Sequence, residues 1–207
     1  MIEIKHRETG EVLLKVNGDS LADQKLEGAK LARANLTGMN LAGLRMARIN
    51  LNGADLSNAN LTGADLESAL LAETVFDHAN MTKVNMTDAI ATGASLRDAT
   101  LSQGILRYAR MQNADLTGAD LSGADLSMAD LRANLNNANL TKADLRGTNL
   151  AGANLTGADL TRANMHEAKL MNAVLARAKM EGAIGPSGKP FGQTARKPPR
   201  PWWKFWG

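Results

Sequence analysis

Residues 114–131 read ADLTGADLSGADLSMADL, so Leu116, Leu121, Leu126 and Leu131 fall five residues apart, each behind an Ala-Asp pair. The same beat runs outward in both directions. From Leu21 to Leu131 a large apolar residue stands at every fifth position, 23 repeats in all, with Ala91 the one exception. After a step of four the series resumes at Leu135 and runs to Met180, adding 10 repeats for a total of 33. Two places before the large residue there is usually Ala, as at Ala54, Ala59, Ala64, Ala119, Ala124, Ala153 and Ala158. Asp or Asn sits between them, and Ser, Thr, Gly and charged residues follow.

A period of five excludes the ordinary elements. On a helix, successive leucines would drift by about 140° per repeat and leave no apolar face. On a flat strand, an odd period would throw them onto alternate faces. If the chain turns a corner once per repeat, the Leu and the Ala two places before it both point inward at every step. Four corners close one coil, and stacked coils pair their backbone N–H and C=O groups with the coils on either side.

The motif A-[DN]-L-x-x, seen in ADLSN (54–58), ADLSG (119–123) and ANLTG (153–157), resembles the pentapeptide-repeat family over about residues 19–184. The resemblance implies an all-β fold, a right-handed quadrilateral β-helix with the central Leu and preceding Ala inside. Four repeats per coil then give about eight coils, a rod roughly 40 Å long.

Composition agrees with a narrow, uniform core. Aromatic residues make up 3% of the chain, so the bulky side chains that fill conventional cores are scarce. There is no cysteine to form disulfides or thiolate metal sites. The opening MIEIKHRETG lacks the apolar stretch of a secretory leader, and no run approaches a membrane span. The expected location is the cytoplasm, with membrane association left open by the far end of the chain. Residues 21–184 carry 16 Lys/Arg against 17 Asp/Glu, whereas residues 185–207 carry five against none. The body is near neutral and the basicity belongs to the tail.

Three segments are expected. Residues 1–18 alternate like two short strands around Glu8-Thr9-Gly10 and read as a β-hairpin capping the first coil, since an uncovered coil is an open sheet edge. Residues 19–184 form the solenoid. Residues 185–207 read as an extended, flexible Pro-rich tail ending in Trp202, Trp203, Lys204, Phe205 and Trp206. For those five residues three readings stay open: capping the last coil or forming a homodimer, insertion at a membrane surface, or docking as a short peptide.

Two departures from regularity stand out. The step of four between Leu131 and Leu135 predicts a tightened corner or a small kink. The solvent-facing Asp/Asn position becomes apolar at Leu70, Val75, Ile90 and Ile105, with Tyr108 nearby. These five residues are the candidate partner-binding patch, because exposed apolar clusters tend to mark contacts. The alternative is that Ile90 turns inward to fill the space left by Ala91.

No catalytic residues, cofactor site or metal site are expected. His6, His78 and His166 are scattered without ligand spacing. Asp115, Asp120, Asp125 and Asp130 occupy successive faces and so point in four directions. The recurring GADLS glycines belong to corners and form no phosphate loop. Two functions follow. The first is a non-enzymatic scaffold or binding protein using the rigid rod and the tail, its protein partner unnamed. The second comes from the resemblance: some members, the quinolone-resistance group, mimic DNA and bind type II topoisomerases such as gyrase. The near-neutral body disfavours that mimicry, although residues 55–88 hold six Asp/Glu against one Lys. Specific nucleic-acid binding is not expected, because the body has no basic stripe.

Overall fold

In the computed structural model, which describes residues 1–18, 20–21, 24 and 26–191, the chain winds as a four-sided solenoid. There is no helix among these residues. The four sides are ladders of parallel bridges between residues one coil apart. One runs Lys30, Asn50, Leu70, Ile90, Arg110, Asp130, Asn149, Lys169. The other three start at Asn35, Asn40 and Arg45 and end at Val174, Lys179 and Ile184. Here they are called sides A, B, C and D in chain order.

The backbone explains the period. Each corner is a β-turn in which the Ala N–H returns to the preceding Leu carbonyl, as in Ala54 N to Leu51 O at 2.9 Å and Ala119 N to Leu116 O at 3.0 Å. The third residue of the turn has positive φ, as at Gly53 (66°) and Gly118 (70°), which is the signature of a type II corner. Glycine recurs there because it takes this conformation without strain. Between corners, each side donates N–H groups to both neighbouring coils: Leu56 N reaches Val75 O at 2.7 Å, and Asp55 N reaches Ala34 O at 2.9 Å.

The inward Asp/Asn-flanked column is almost dry. Leu116, Leu121, Leu126 and Leu131 are fully buried, as are Ala114, Ala119, Ala124 and Ala129 to within 1%. Each buried Leu is worth about 2 kcal/mol by its removal from water. Phe76 is the bulkiest buried side chain, and it lies one layer and one corner from Ala91, the smallest residue in its column. Ile90 is not turned inward: it keeps its place on side A between Leu70 and Arg110. The polar Thr74 and Thr148 replace inward Ala, and each hydroxyl donates to a core carbonyl at 2.8 Å, Leu51 O and Leu126 O respectively.

The Asp/Asn position has a local task. Its side-chain oxygen accepts the N–H two residues on, as in Asp55 to Ser57 at 2.9 Å and Asn154 to Thr156 at 3.1 Å, which pins each corner. At two places where the position is neither Asp nor Asn, the coil before supplies the acceptor instead. Asn52 Oδ1 takes the Ala72 N–H at 2.8 Å in place of Leu70, and Asp77 Oδ1 takes the Arg97 N–H at 3.1 Å beside Ser95.

At the four-residue step the usual turn is replaced by a tighter one, Ala133 N to Leu131 O at 2.8 Å. The ladders cross it with an offset of 19 instead of 20, as in Asp115 to Asn134, and then resume. The corner is tightened and the stack continues.

At the start, β1 (Ile2–His6) pairs antiparallel with β2 (Val12–Val16). β1 also pairs antiparallel with β3 (Ala34–Asn35) on side B, placing Ile4 and Val16 in the core. His6 Nδ1 accepts the Glu8 and Thr9 N–H groups at 3.2 Å, so this histidine holds the hairpin turn. At the other end, residues 185–191 do not begin an extended tail. They fold back: Gly185 N donates to Lys189 O at 2.7 Å, Pro190 bridges Ile184 antiparallel, and Phe191 N donates to Ala183 O at 2.8 Å. The Gly-Pro-Ser-Gly run permits that reversal.

Candidate docking edge

The five patch residues do not form one surface. Leu70 and Ile90 are ladder partners on side A, Val75 lies on side B, and Ile105 lies on side D, opposite side B. Val75 and Ile105 therefore cannot meet one flat partner. Tyr108 stands on the corner between sides D and A, next to Ile105 in the chain and beside the Ile90–Arg110 stretch of side A.

That corner holds a residue the apolar pattern missed. Met128 is the Tyr108 equivalent one coil on, since Tyr108 N donates to Ser127 O at 3.2 Å. Met128 is 57% exposed and Tyr108 54%. The Met128 side chain lies over Gly147, where an added Cβ would stand 2.5 Å from its sulfur. Ile105, 43% exposed, continues the apolar surface onto side D. The signal for Met128 was present in the repeat arithmetic, because it interrupts the run of Ser, Thr and Gly at the corners.

Both Tyr108 and Met128 have left-handed backbone, with φ of 58° and 61°. A branched or bulky side chain there costs roughly 1 kcal/mol that glycine avoids. Seventeen other non-glycine corners among the described residues share this conformation, so what sets these two apart is the size and apolarity of the exposed side chain.

Charges frame the edge. Arg107 Nε donates to Asp125 Oδ2 at 2.5 Å, and Arg132 holds Asp130 by two bonds of 2.9 Å. Burial opposes ionisation of both carboxyls, but the hydroxyl of Ser127 and Arg107 for Asp125, and Arg132 and Gln112 for Asp130, outweigh it. Both carboxyls are held below the usual carboxylate range. Arg110, exposed on side A above Ile90, has no side-chain partner among the described residues. An apolar strip of Ile, Tyr and Met beside a free guanidinium has the composition of interface cores.

No group of three or more His, Cys, Asp or Glu among the described residues is placed to hold a metal ion. Asp115, Asp120, Asp125 and Asp130 fall on four different ladders. His78 and Asp98 approach to 3.9 Å on an exposed corner, with no third group converging on them. The aromatic residues Trp202, Trp203, Lys204, Phe205 and Trp206 lie outside the described residues. No described helix is long and apolar enough to cross a membrane.

Comparison with known proteins adds three structures. HetL, a pentapeptide repeat protein involved in heterocyst differentiation regulation in the cyanobacterium Nostoc sp. strain PCC 7120, is 32% identical, covering 79% of this chain and 86% of its own, with a TM-score of 0.38. Rfr23, a pentapeptide repeat protein of the cyanobacterium Cyanothece 51142, is 21% identical over 80% of this chain and 95% of its own, at 0.33. QnrB1, a plasmid-mediated fluoroquinolone resistance protein, is 20% identical over 74% of this chain and 90% of its own, at 0.46. No curated protein matches. The family model for pentapeptide repeats (8 copies) matches residues 25–58, 59–98, 94–132, 132–166 and 148–184. With type II corners, an inward Leu-and-Ala core and matches over most of its length, the chain belongs to the pentapeptide-repeat family, whose fold is a right-handed β-helix.

Proposed function

We propose that this chain is a non-enzymatic binding protein, a stiff rod that presents the Ile105–Tyr108–Met128 edge to a protein partner. Arg110 and Ile90 flank the edge and receive a carboxylate and an apolar side chain of that partner. The observation that carries the reading is the pair of bulky, exposed side chains at left-handed corners of consecutive coils. Apolar side chains held in water at consecutive levels are explained when a partner covers them. In this reading the N-terminal hairpin caps the first coil, so that the rod does not pair edge to edge with itself.

The test is site-specific photo-cross-linking in a native lysate. A cross-linking amino acid replaces Tyr108 in one version and Gln103, on the corner between sides C and D, in another. A protein captured from position 108, absent from position 103 and lost on Met128→Asp, supports the docking edge. The same captures from both positions overturn it.

DNA mimicry with a topoisomerase partner has less support. Carboxylates that would imitate phosphates are matched by Arg or Lys at Asp77, Asp125, Asp130, Asp144 and Asp159. Those pairs sit on several sides of the rod, which lowers the negative field that such a partner needs. Gyrase subunits captured from position 108 would revive it.

A further inference from the structure

The step of four leaves one backbone group unserved. At the corner between sides A and B, the residue after each inward Leu normally offers its carbonyl to an N–H of the coil before. The carbonyls of Asn52, Ala72, Thr92, Gln112, Arg132 and Met171 all accept such a bond, at 2.8–3.0 Å. Ala151, half-buried in the same column, is the exception: its carbonyl has no donor among the described residues. The donor would be the N–H of the corner residue that is missing between Arg132 and Ala133. Ala133 N does not replace it, because it is turned to Leu131 O. Backbone groups within a fold are rarely left this way.

The same deletion opens a cleft. With no second corner residue at this level, about 530 Å³ lies between Asn113, Asp115, Arg132, Asn134 and Gly152. Gly152 follows the orphan carbonyl in the chain and has no side chain to close the space. The cleft has donors and acceptors to spare. Arg132 spends Nε and Nη2 on Asp130, which leaves its Nη1 and its backbone N–H without an acceptor among the described residues. Asp115 takes its three bonds on Oδ1, from Thr117 and Asn134, and none from a described residue on Oδ2. One carboxylate and one guanidinium balance, so the lining is neutral.

We propose that this cleft binds a primary carboxamide, the end group of a glutamine or asparagine side chain. Its NH₂ donates to Ala151 O, in place of the missing backbone N–H, and its C=O accepts from Arg132. The group is neutral, as the lining requires, and presents a donor and an acceptor along one edge. The alternatives each fail at one wall. A carboxylate has no donor for Ala151 O, and an ammonium has no acceptor for Arg132. A trans peptide bond points its N–H and C=O in opposite directions and so serves a single wall. The site lies on the A/B corner, across side A from the docking edge, and it stands or falls separately from that reading.

The test is an amide NMR titration of the full nitrogen-15-labelled chain with N-acetylglutamine methylamide, beside the isosteric glutamate compound. A hydrogen bond to a carbonyl is read at the next amide, so Gly152 reports on Ala151 O. The expected result is a saturable Gly152 shift, half-complete at roughly 1 mM for a ligand of this size, and several-fold weaker with the glutamate compound. Inserting one Gly between Arg132 and Ala133 restores the step of five and supplies the missing N–H. That variant should keep the wild-type circular dichroism and lose the shift. If it unfolds, Gly152→Asn decides: such corners already hold Asn113 and Asn172 in left-handed backbone, so the change narrows the cleft without strain and should weaken binding several-fold. No saturable shift with the blocked glutamine overturns the proposal, and solvent then serves the carbonyl. An equal shift with the glutamate compound, or one undiminished in the folded variants, overturns it too. Free L-glutamine distinguishes the sources: tighter binding than the blocked form supports a site for the small molecule, and weaker binding supports a site for a side chain of a protein partner.

Discussion

Tyr108 and Met128 occupy the same corner of consecutive coils, both in left-handed backbone at φ 58° and 61°, and both more than half exposed. Most corner positions of this kind hold Gly or a short or charged polar residue, which loses little by facing water. An exposed aromatic and an exposed thioether at consecutive levels are the largest break in that habit.

Glycine at these two corners is expected to stabilise the fold and weaken function. Removing the left-handed cost gains roughly 1–2 kcal/mol, and the extra freedom of glycine in the unfolded chain takes back about 0.5–1. Tyr108→Gly and Met128→Gly should each raise the urea midpoint by the equivalent of about 0.5–1 kcal/mol. The same variants should lose the partner captured from this edge. A stability loss in both would show that the side chains stabilise the rod itself.

Asp77 sits beneath Ser95 and Arg97, accepting from the Ser95 hydroxyl at 2.5 Å and from Arg97 Nε and Nη2 at 3.0 and 2.6 Å. Burial opposes its ionisation, but these bonds outweigh burial and hold its carboxyl below the usual range. A group with a depressed folded pKa contributes stability above its unfolded value of about 3.9, and loses it as pH falls through the folded pKa. Asp77→Ala should therefore cost about 2 kcal/mol at neutral pH. Urea titrations of the two proteins should converge as pH falls from about 4 toward 2.

Gly104 takes an inward position that most often holds Ala. A Cβ there would stand 3.0 Å from Leu101 O, 3.2 Å from the Leu106 side chain and 3.4 Å from Val84 Cγ1. Val84, one coil before it in the same column, is fully buried and larger than the usual Ala. Gly104→Ala alone should cost about 1–2 kcal/mol through overpacking. Combined with Val84→Ala it should cost less than the sum of the two single changes. Additive losses in a double-mutant cycle would show that Leu101 O, not Val84, sets the limit.

Leu116 is a fully buried layer residue in the middle of the stack. Leu116→Ala should cost about 2–5 kcal/mol in chemical unfolding, because neighbouring coils hold the cavity open. Each coil touches only its neighbours, so the transition should also broaden as the two halves uncouple. An unbroadened transition with the full loss would show that the rod unfolds as one unit despite the gap.

Which side chains face inward was legible from spacing alone. A five-residue beat admits one solution that buries both Leu116 and Ala114 at every step, and the structure buries both. The step of four between Leu131 and Leu135 announced a local irregularity, a tightened corner or a small kink, and the structure shows the tightened corner. The apolar edge proposed for docking was read only in part. Leu70, Ile90 and Ile105 announced themselves by breaking the Asp/Asn habit, with Tyr108 near them, but Val75 broke it equally and faces another side. Met128 sat unmarked among corner residues.

The sequence by itself determined the coil, because periodicity dictates which residues can share an interior whatever the details of the turns. Only the tertiary structure decided what lies outside. Whether two exposed residues share a surface depends on the number of corners between them, and Val75 and Ile105 are parted to opposite sides by that count. The replacement of a missing corner acceptor, Asn52 for Leu70 and Asp77 beside Ser95, likewise depends on atoms 18–20 residues away. Local pattern carries the core, whereas contacts between coils carry the surface.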